Sequence, residues 1–250
     1  MKLTDARATA SGHTTWKLYV HPTGSAEWHM ELDRSLLQRL ESQPEPETAL
    51  RFYGWSRRTL SLGYHQVIDA ELAERARKLG VGCVPRPTGG RAVLHGRDFT
   101  YSLVSNDATF FRRDFLRENY CSVSRALRLG LRLAGVPAEF SRRDAGRSYR
   151  SKLSCFSSAT RFELSSGGRK LVGSAQRRLR RAFLQHGSIP IEDGSDVAGP
   201  LLGERESEAT CLAHEMGIVP SFSFLCAVFS RAFQHHFGVQ VATVQWQEYK

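Results

Sequence analysis

Cys155 and Lys170 flank a predicted β-hairpin within LSCFSSATRFELSSGGRKLVGSAQRR, which also holds a Gly-Ser-Ala-Gln stretch that reads as a turn. A thiol needs help to act as a nucleophile at neutral pH. Free cysteine titrates near about 8.5, and neighbouring Lys or Arg can bring it into the range of roughly 3.5 to 7.5. The local charge suits that purpose. Residues 141–181 hold twelve Lys and Arg against Asp144 and Glu163, a net +10 that equals the formal excess of the whole chain. The rest of the sequence is therefore neutral, and the positive field is focused where the thiol lies. The same residues also admit a plainer reading, in which Cys155 is a small buried apolar residue and the arginines form a solvated face.

A second candidate is PRPTGGRAVLH at 85–95. Gly89 and Gly90 let the backbone approach a ligand, while Arg86 and Arg91 can bind a carboxylate or a phosphate. No Gly-Lys-Ser/Thr follows, so this is not a Walker loop, and GxGxxG is absent. An ordinary hairpin turn with exposed arginines would look the same. His95 fits either a polar residue satisfied in the core or a base. A third segment, LQHGSIPI at 184–191, places His186 and Gly187 ahead of an apolar strand and reads as a turn entering it.

The elements that must position these residues are mixed. WKLYV at 16–20 reads as a strand, and 26–41 carries Trp28, Leu32, Leu36, Leu37 and Leu40 on one helical face. LRFYGW and TLSLGY read as strands joined by Ser-Arg-Arg, and a short helix on ELAERARKL ends at Gly80. FTYSLV at 99–104 reads as a strand, followed by a long helix over about 113–134 that Gly135 and Pro137 terminate. Phe162 and Leu164 lead through SSGG into RKLVG as a hairpin. Helices near 205–216 and 222–237 and a final strand VQVATVQW complete the chain. Hairpin-paired strands interspersed with helices predict a single α+β domain over 16–250, with mixed, mostly antiparallel sheets flanked by helices, after a polar extension at 1–15.

Composition bounds the function. The 250 residues can bury one large core or two small ones, and the only linker-like run is SQPEPET at 42–48. Five cysteines without CxxC spacing fit reduced thiols better than disulfides or zinc. The N-terminus has no apolar signal region and no run approaches a membrane span, so a soluble, cytoplasmic protein is expected. Nucleic acid is disfavoured despite a pI near 9.7. The aromatics do not alternate with the basic residues, and no nucleic-acid-binding signature is present. An acidic protein partner satisfies the same field.

Taken together, RFYGWSRRTLSLGYHQ, PRPTGGRAVLHGRDFTYSLV, SCFSSATRFEL with GRKLVGSAQRR, and LQHGSIPI resemble the biotin/lipoate protein ligase and lipoyl/octanoyl transferase family. The Cys-Phe pair is most like the branch of cysteine-dependent octanoyltransferases. The resemblance implies a biotin/lipoate ligase-like fold, with Cys155 as acyl acceptor and Lys170 lowering its pKa and contacting the acyl carbonyl. Arg86, Gly89, Gly90, Arg91 and His95 would line the acyl or carrier pocket with Gly173, Ser174, Ala175, Gln176, His186 and Gly187. It implies octanoyl acyl carrier protein as donor, and as acceptor a lipoyl-domain protein such as the glycine cleavage H protein or a 2-oxoacid dehydrogenase E2. No cofactor and no metal are expected. Three positions depart from the family: Pro85 replaces a second arginine, Gly96 an aspartate, and His29 an asparagine. Three rivals remain open: an ATP- and Mg-dependent lipoate or biotin ligase, an octanoyl amidotransferase between lipoyl proteins, and a binding module without catalysis.

Overall fold

A computed structural model describes residues 14–112, 114–141, 163–202 and 209–246. In chain order the elements are β1 (Thr15–His21), α1 (Ala26–Ser42), β2 (Thr48–Tyr53), β3 (Thr59–Leu62), α2 (Ala70–Lys78), β4 (Gly82–Pro85), β5 (Val93–His95) and β6 (Asp98–Ser105). They continue with α3 (Leu116–Leu133), β7 (Glu139–Phe140), β8 (Leu164–Ser166), β9 (Arg169–Arg178), β10 (Phe183–Pro190), α4 (Ser195–Leu202), α5 (Leu212–Met216), α6 (Phe222–Phe237) and β11 (Gln240–Thr243). The larger sheet has eight strands in the order β11-β1-β2-β6-β10-β9-β8-β7, and a second sheet has the order β4-β3-β5. Most pairings are antiparallel. The parallel ones are β1 with β11, β1 with β2, and β3 with β4. This is the α+β arrangement that the sequence predicts.

Side-chain alternation along the strands divides the large sheet into two unlike faces. Leu50 and Phe52 of β2 and Phe99, Tyr101 and Leu103 of β6 join the main core, which α3 and α6 cover through Val123, Leu127, Phe229 and Phe233. The two helices can approach because Gly130 of α3 has no side chain. A Cβ there would fall 2.5 Å from the Phe229 ring. On the opposite face α1 packs its leucine stripe, Leu32, Leu36, Leu37 and Leu40, against Tyr19, Ala49, Val104 and Leu184. Ser25 starts that helix by accepting a hydrogen bond from the Trp28 amide at 3.2 Å. The small sheet is backed by α2 and α4 through Leu60, Leu72, Val197 and Leu201. A bridging cluster of Ala26, Met30, Tyr53, Trp55 and Val84 ties α1 and β2 to β4.

Several expectations need correction. The two strands read from LRFYGW and TLSLGY both form, but β2 and β3 belong to different sheets. The Gly-Ser-Ala-Gln segment is not a turn: Gly173–Gln176 lies inside β9 and pairs with Gln185–Ser188 of β10. His186 and Gly187 likewise lie within β10 and precede no turn. Gly187 is a glycine because the strands crowd there. A Cβ on Gly187 would lie 2.6 Å from the Gly173 carbonyl oxygen. The hairpin turn is at Gly167 and Gly168, both with positive φ (55° and 78°), a geometry that glycine adopts without strain. The helix expected near 205–216 is described only as α5, α4 was not foreseen, and the last strand is shorter than VQVATVQW. Cys155, Phe162 and the basic residues from Arg142 to Arg161 lie outside the described residues.

Candidate active site

The polar alternates of the large sheet build the site. On the face away from the main core, β2 contributes Arg51 and Tyr53, β6 contributes Asp98 and Thr100, and β10 contributes His186 and Ser188. The small sheet lies opposite with Ser61 and His95. Between them is a narrow cleft with a cavity volume of about 30 Å³, walled by Arg86, His95, Gly173, Ala175, His186 and Gly187, with Met30 and Trp55 among its apolar lining. The structure thus brings together Arg86, His95, Gly173, Ser174, Ala175, His186 and Gly187 of the expected set. Gly89, Gly90, Arg91, Lys170 and Gln176 stand outside the cleft wall. The Gln176 amide instead meets that of Gln185 at 2.8 Å. Ser174 turns its hydroxyl to Tyr101, also at 2.8 Å.

Two histidines face the cleft in fixed orientations. His95 Nδ1 lies 2.7 Å from Asp98 Oδ2, and Nε2 lies 2.9 Å from Ser61 Oγ. A carboxylate only accepts, so Nδ1 carries a proton. The ring stacks on Trp55 at 4.0 Å, and Trp55 in turn donates to Thr100 Oγ1. Asp98 also receives Thr100 and Ser188 hydroxyls and the Gly96 amide. Burial resists its ionisation, but His95 and these donors hold its carboxyl below the usual range. Gly96 has no side chain to offer His95, and Asp98, two residues on, orients the ring.

His186 is held by a different carboxylate. Its Nδ1 donates to Asp33 Oδ2 at 2.9 Å, and its Nε2 accepts from Thr88 Oγ1 at 2.6 Å. Burial pushes the imidazole pKa down, leaving it neutral in that tautomer. Asp33, on α1, is fully buried and forms an ion pair with Arg51. Although burial opposes ionisation, Arg51 and His186 bring its pKa from 3.8 to about 2. Arg51 also reaches His29 Nδ1 at 3.2 Å, and His29 Nε2 donates to the Gly54 carbonyl at 2.8 Å. Burial, and then Arg51, lower His29 from 6.5 to about 3.

Arg86 does not present a free guanidinium to a substrate carboxylate or phosphate, as the sequence suggested. It donates to the carbonyls of Gly89 and Arg91 at 2.7 Å each and of Ser61 at 3.1 Å, and to Thr88 Oγ1 at 3.2 Å. It therefore shapes the glycine loop from inside. Gly90 adopts φ 90°, and its carbonyl oxygen is so close to Gly63 that a Cβ there would be 1.9 Å away. Arg91 is buried, and Pro85 ends β4 on the exposed side.

Lys170 is buried in β9 and donates to Glu163 Oε1 at 2.6 Å. Its carbonyl accepts the Thr210 amide at 2.9 Å. The other described thiols with a resolved change are unsuited to nucleophilic work. Burial raises Cys83 and Cys121, and lifts Cys226 to about 12.

A family profile described as the lipoyl protein ligase A/B catalytic domain matches residues 25–223. The chain belongs to that family. Octanoyltransferase LipM of Moorella thermoacetica is 40% identical over 186 residues, which are 73% of this chain and 68% of that protein. The protein of the same name from Exiguobacterium sp. is 32% identical over 244 residues, 90% of this chain and 88% of that one. Among solved structures, lipoate-protein ligase A bound with ATP superposes with a TM-score of 0.77 at 18% identity, covering 94% of this chain and 90% of that one. At that identity the likeness is one of fold. The expectation of an acyltransferase within the family agrees with these relatives.

Sequence reasoning missed Asp33, Arg51, Ser61, Thr88 and Asp98, the residues that orient the two histidines and the glycine loop. One signal was available. His29, Asp33, Leu36 and Leu40 share a helical face, so a charged residue stood in an otherwise apolar stripe.

Proposed function

We propose that this chain transfers an octanoyl group from octanoyl acyl carrier protein to a lysine of a lipoyl-domain protein, through a thioester on Cys155, in cytoplasmic lipoate biosynthesis. The observation that carries the reading is the cleft between β9–β10 and the glycine loop. It is apolar along Met30, Tyr53, Trp55 and Val93, and it carries two oriented histidines. Such a site suits a hydrocarbon chain ending in a polar acyl group. Met30 is its most adaptable wall and would yield as the chain enters. The relatives named octanoyltransferase support the same acyl group.

The chemistry proceeds in two balanced steps. The Cys155 thiolate attacks the donor thioester carbon, and the carrier thiol leaves as thiolate and takes a proton; one thioester replaces another, so no ATP is consumed. A neutral lysine amine of the acceptor then attacks the enzyme thioester. An amide forms, the Cys155 thiolate is released, and the amine proton goes to solvent or a nearby base. Lys170, which donates to Glu163 here, would turn from that carboxylate to donate to the oxyanion in both steps. The basic residues around the hairpin would steer two acidic partners to one mouth.

The test is transfer from octanoyl carrier protein to purified lipoyl domain without ATP. Amide formation without nucleotide supports the reading. Modification that requires ATP and free octanoate or lipoate would replace it with a ligase.

A further inference from the structure

With Arg86 committed to the glycine loop, a phosphate on the donor needs another seat. A second cavity of about 540 Å³ adjoins the acyl cleft at His95, which lines both spaces, and Asp98 lines the second. Its volume is in the range of small-molecule sites, roughly 300–1,000 Å³. Arg58, Arg97 and Arg169 reach it from three separate parts of the chain, the β2–β3 connection, the turn between β5 and β6, and the start of β9, and Asp98, Glu192 and Asp193 line it as well. Ala209 and Thr210 form another wall, and Thr210 is hydrogen-bonded to the backbone of Lys170. The cavity therefore runs from the Lys170 strand to the His95 edge of the acyl cleft.

We infer that this cavity receives the 4′-phosphopantetheine arm of the thioester donor, with Arg97 and Arg58 binding its phosphate. The inference rests on the octanoyltransferase reading for the identity of the donor. On that reading the acyl chain occupies the cleft, the thioester carbon comes to the His95 wall that both spaces share, and the arm leaves through the second cavity. Among the described residues the Arg97 side chain makes a long contact, 3.3 Å to the Asp193 carbonyl, and Arg58 pairs with the half-exposed Asp196 at 2.8 Å. Ion pairs open to solvent contribute little, so the phosphodiester monoanion of the carried arm can compete for both guanidinia. Leu94, Pro190 and Ala198 supply apolar surface for the pantetheine stem.

The experiment compares octanoyl-4′-phosphopantetheine with octanoyl-pantetheine as donors, read as the ratio of their kcat/KM values, for wild type, Arg97→Glu, Arg58→Ala and, as a remote control, Arg77→Ala. Wild type and Arg77→Ala should prefer the phosphorylated donor by about tenfold or more, the worth of a charged hydrogen bond. Arg97→Glu should abolish or invert the preference, and Arg58→Ala should reduce it. The ratio is internal to each variant, so general loss of folded protein does not move it. Octanoyl coenzyme A carries the same arm, and its comparison with octanoyl carrier protein separates a free donor from a carried one. An unchanged ratio in Arg97→Glu overturns the inference. If wild type uses no thioester donor, the transferase reading has failed, and calorimetric titration with 4′-phosphopantetheine and with pantetheine decides the site separately. Selective, Arg97-dependent binding of the phosphorylated form upholds it. Equal binding, or displacement by ATP with no selectivity for the phosphorylated arm, overturns it.

Discussion

Asp33 is the charge on which the inner face of the site depends, and its removal should be costly in a calculable way. The depression of its pKa from 3.8 to about 2 corresponds to about 2 kcal/mol of stability at neutral pH. Because the folded value lies below the unfolded one, this contribution is complete above about pH 4 and is lost as pH falls through about 2. Asp33→Ala costs more than that, since Arg51 remains fully buried with its carboxylate gone. Stranding one member of a buried pair costs about 3–5 kcal/mol, out of a total of about 5–15 kcal/mol for a typical domain. Replacing both partners, as Asp33→Leu with Arg51→Met, removes the stranded charge and should recover most of the loss. His186 loses its Nδ1 acceptor in either case, so octanoyl transfer should stay low in the double variant. The assay is the urea midpoint of each variant at pH 7 beside its transfer rate. A loss below about 1 kcal/mol in Asp33→Ala, or a double variant no more stable than the single one, would refute this account.

Three further outcomes are expected. Gly187→Ala places a methyl 2.6 Å from the Gly173 carbonyl and Ser174 Oγ and 2.7 Å from the Tyr101 ring. It should cost about 1–3 kcal/mol and impair transfer, and a variant of wild-type thermal stability contradicts the packing. His29 is buried neutral with a pKa near 3, so the unfolded chain binds its proton first as pH drops below 6.5. Stability should therefore fall by up to about 1.4 kcal/mol per pH unit between 6.5 and 3 on its account. His29→Asn should flatten that slope in urea titrations, and an unchanged slope would place the proton elsewhere. Lys170→Met removes the Lys170 ammonium from the buried Glu163 carboxylate, so it should lose both stability and transfer. Adding Glu163→Gln should restore the thermal midpoint but not the reaction, whereas recovery of both would make Lys170 purely structural.

The sequence was legible where a single element carried its own signal. The leucine stripe of α1, the stop at Gly135 after α3 and the Gly167–Gly168 turn all follow from local chemistry. The glycines of β9 and β10 misled because glycine beside serine reads as a turn, whereas Gly187 relieves crowding between strands that sequence alone does not juxtapose. The helix α4 was hidden by Gly199 and by Pro200 inside it. The residues that orient the site were invisible for a reason of distance. Asp33 and His186 are 153 positions apart, Thr88 and His186 are 98, and no local period links such partners. Arg86 was found by its place beside the glycines, but its role was misread, because only the fold reveals that its donors are spent on carbonyls.

The central claim is tested most directly by intact-protein mass spectrometry after mixing the protein with octanoyl acyl carrier protein, with and without ATP, for wild type and Cys155→Ala. The account predicts a single octanoyl adduct that forms without ATP, is removed by hydroxylamine and is absent from Cys155→Ala. A Cys155→Ala protein that still forms the adduct, or transfers octanoate at the wild-type rate, would contradict it.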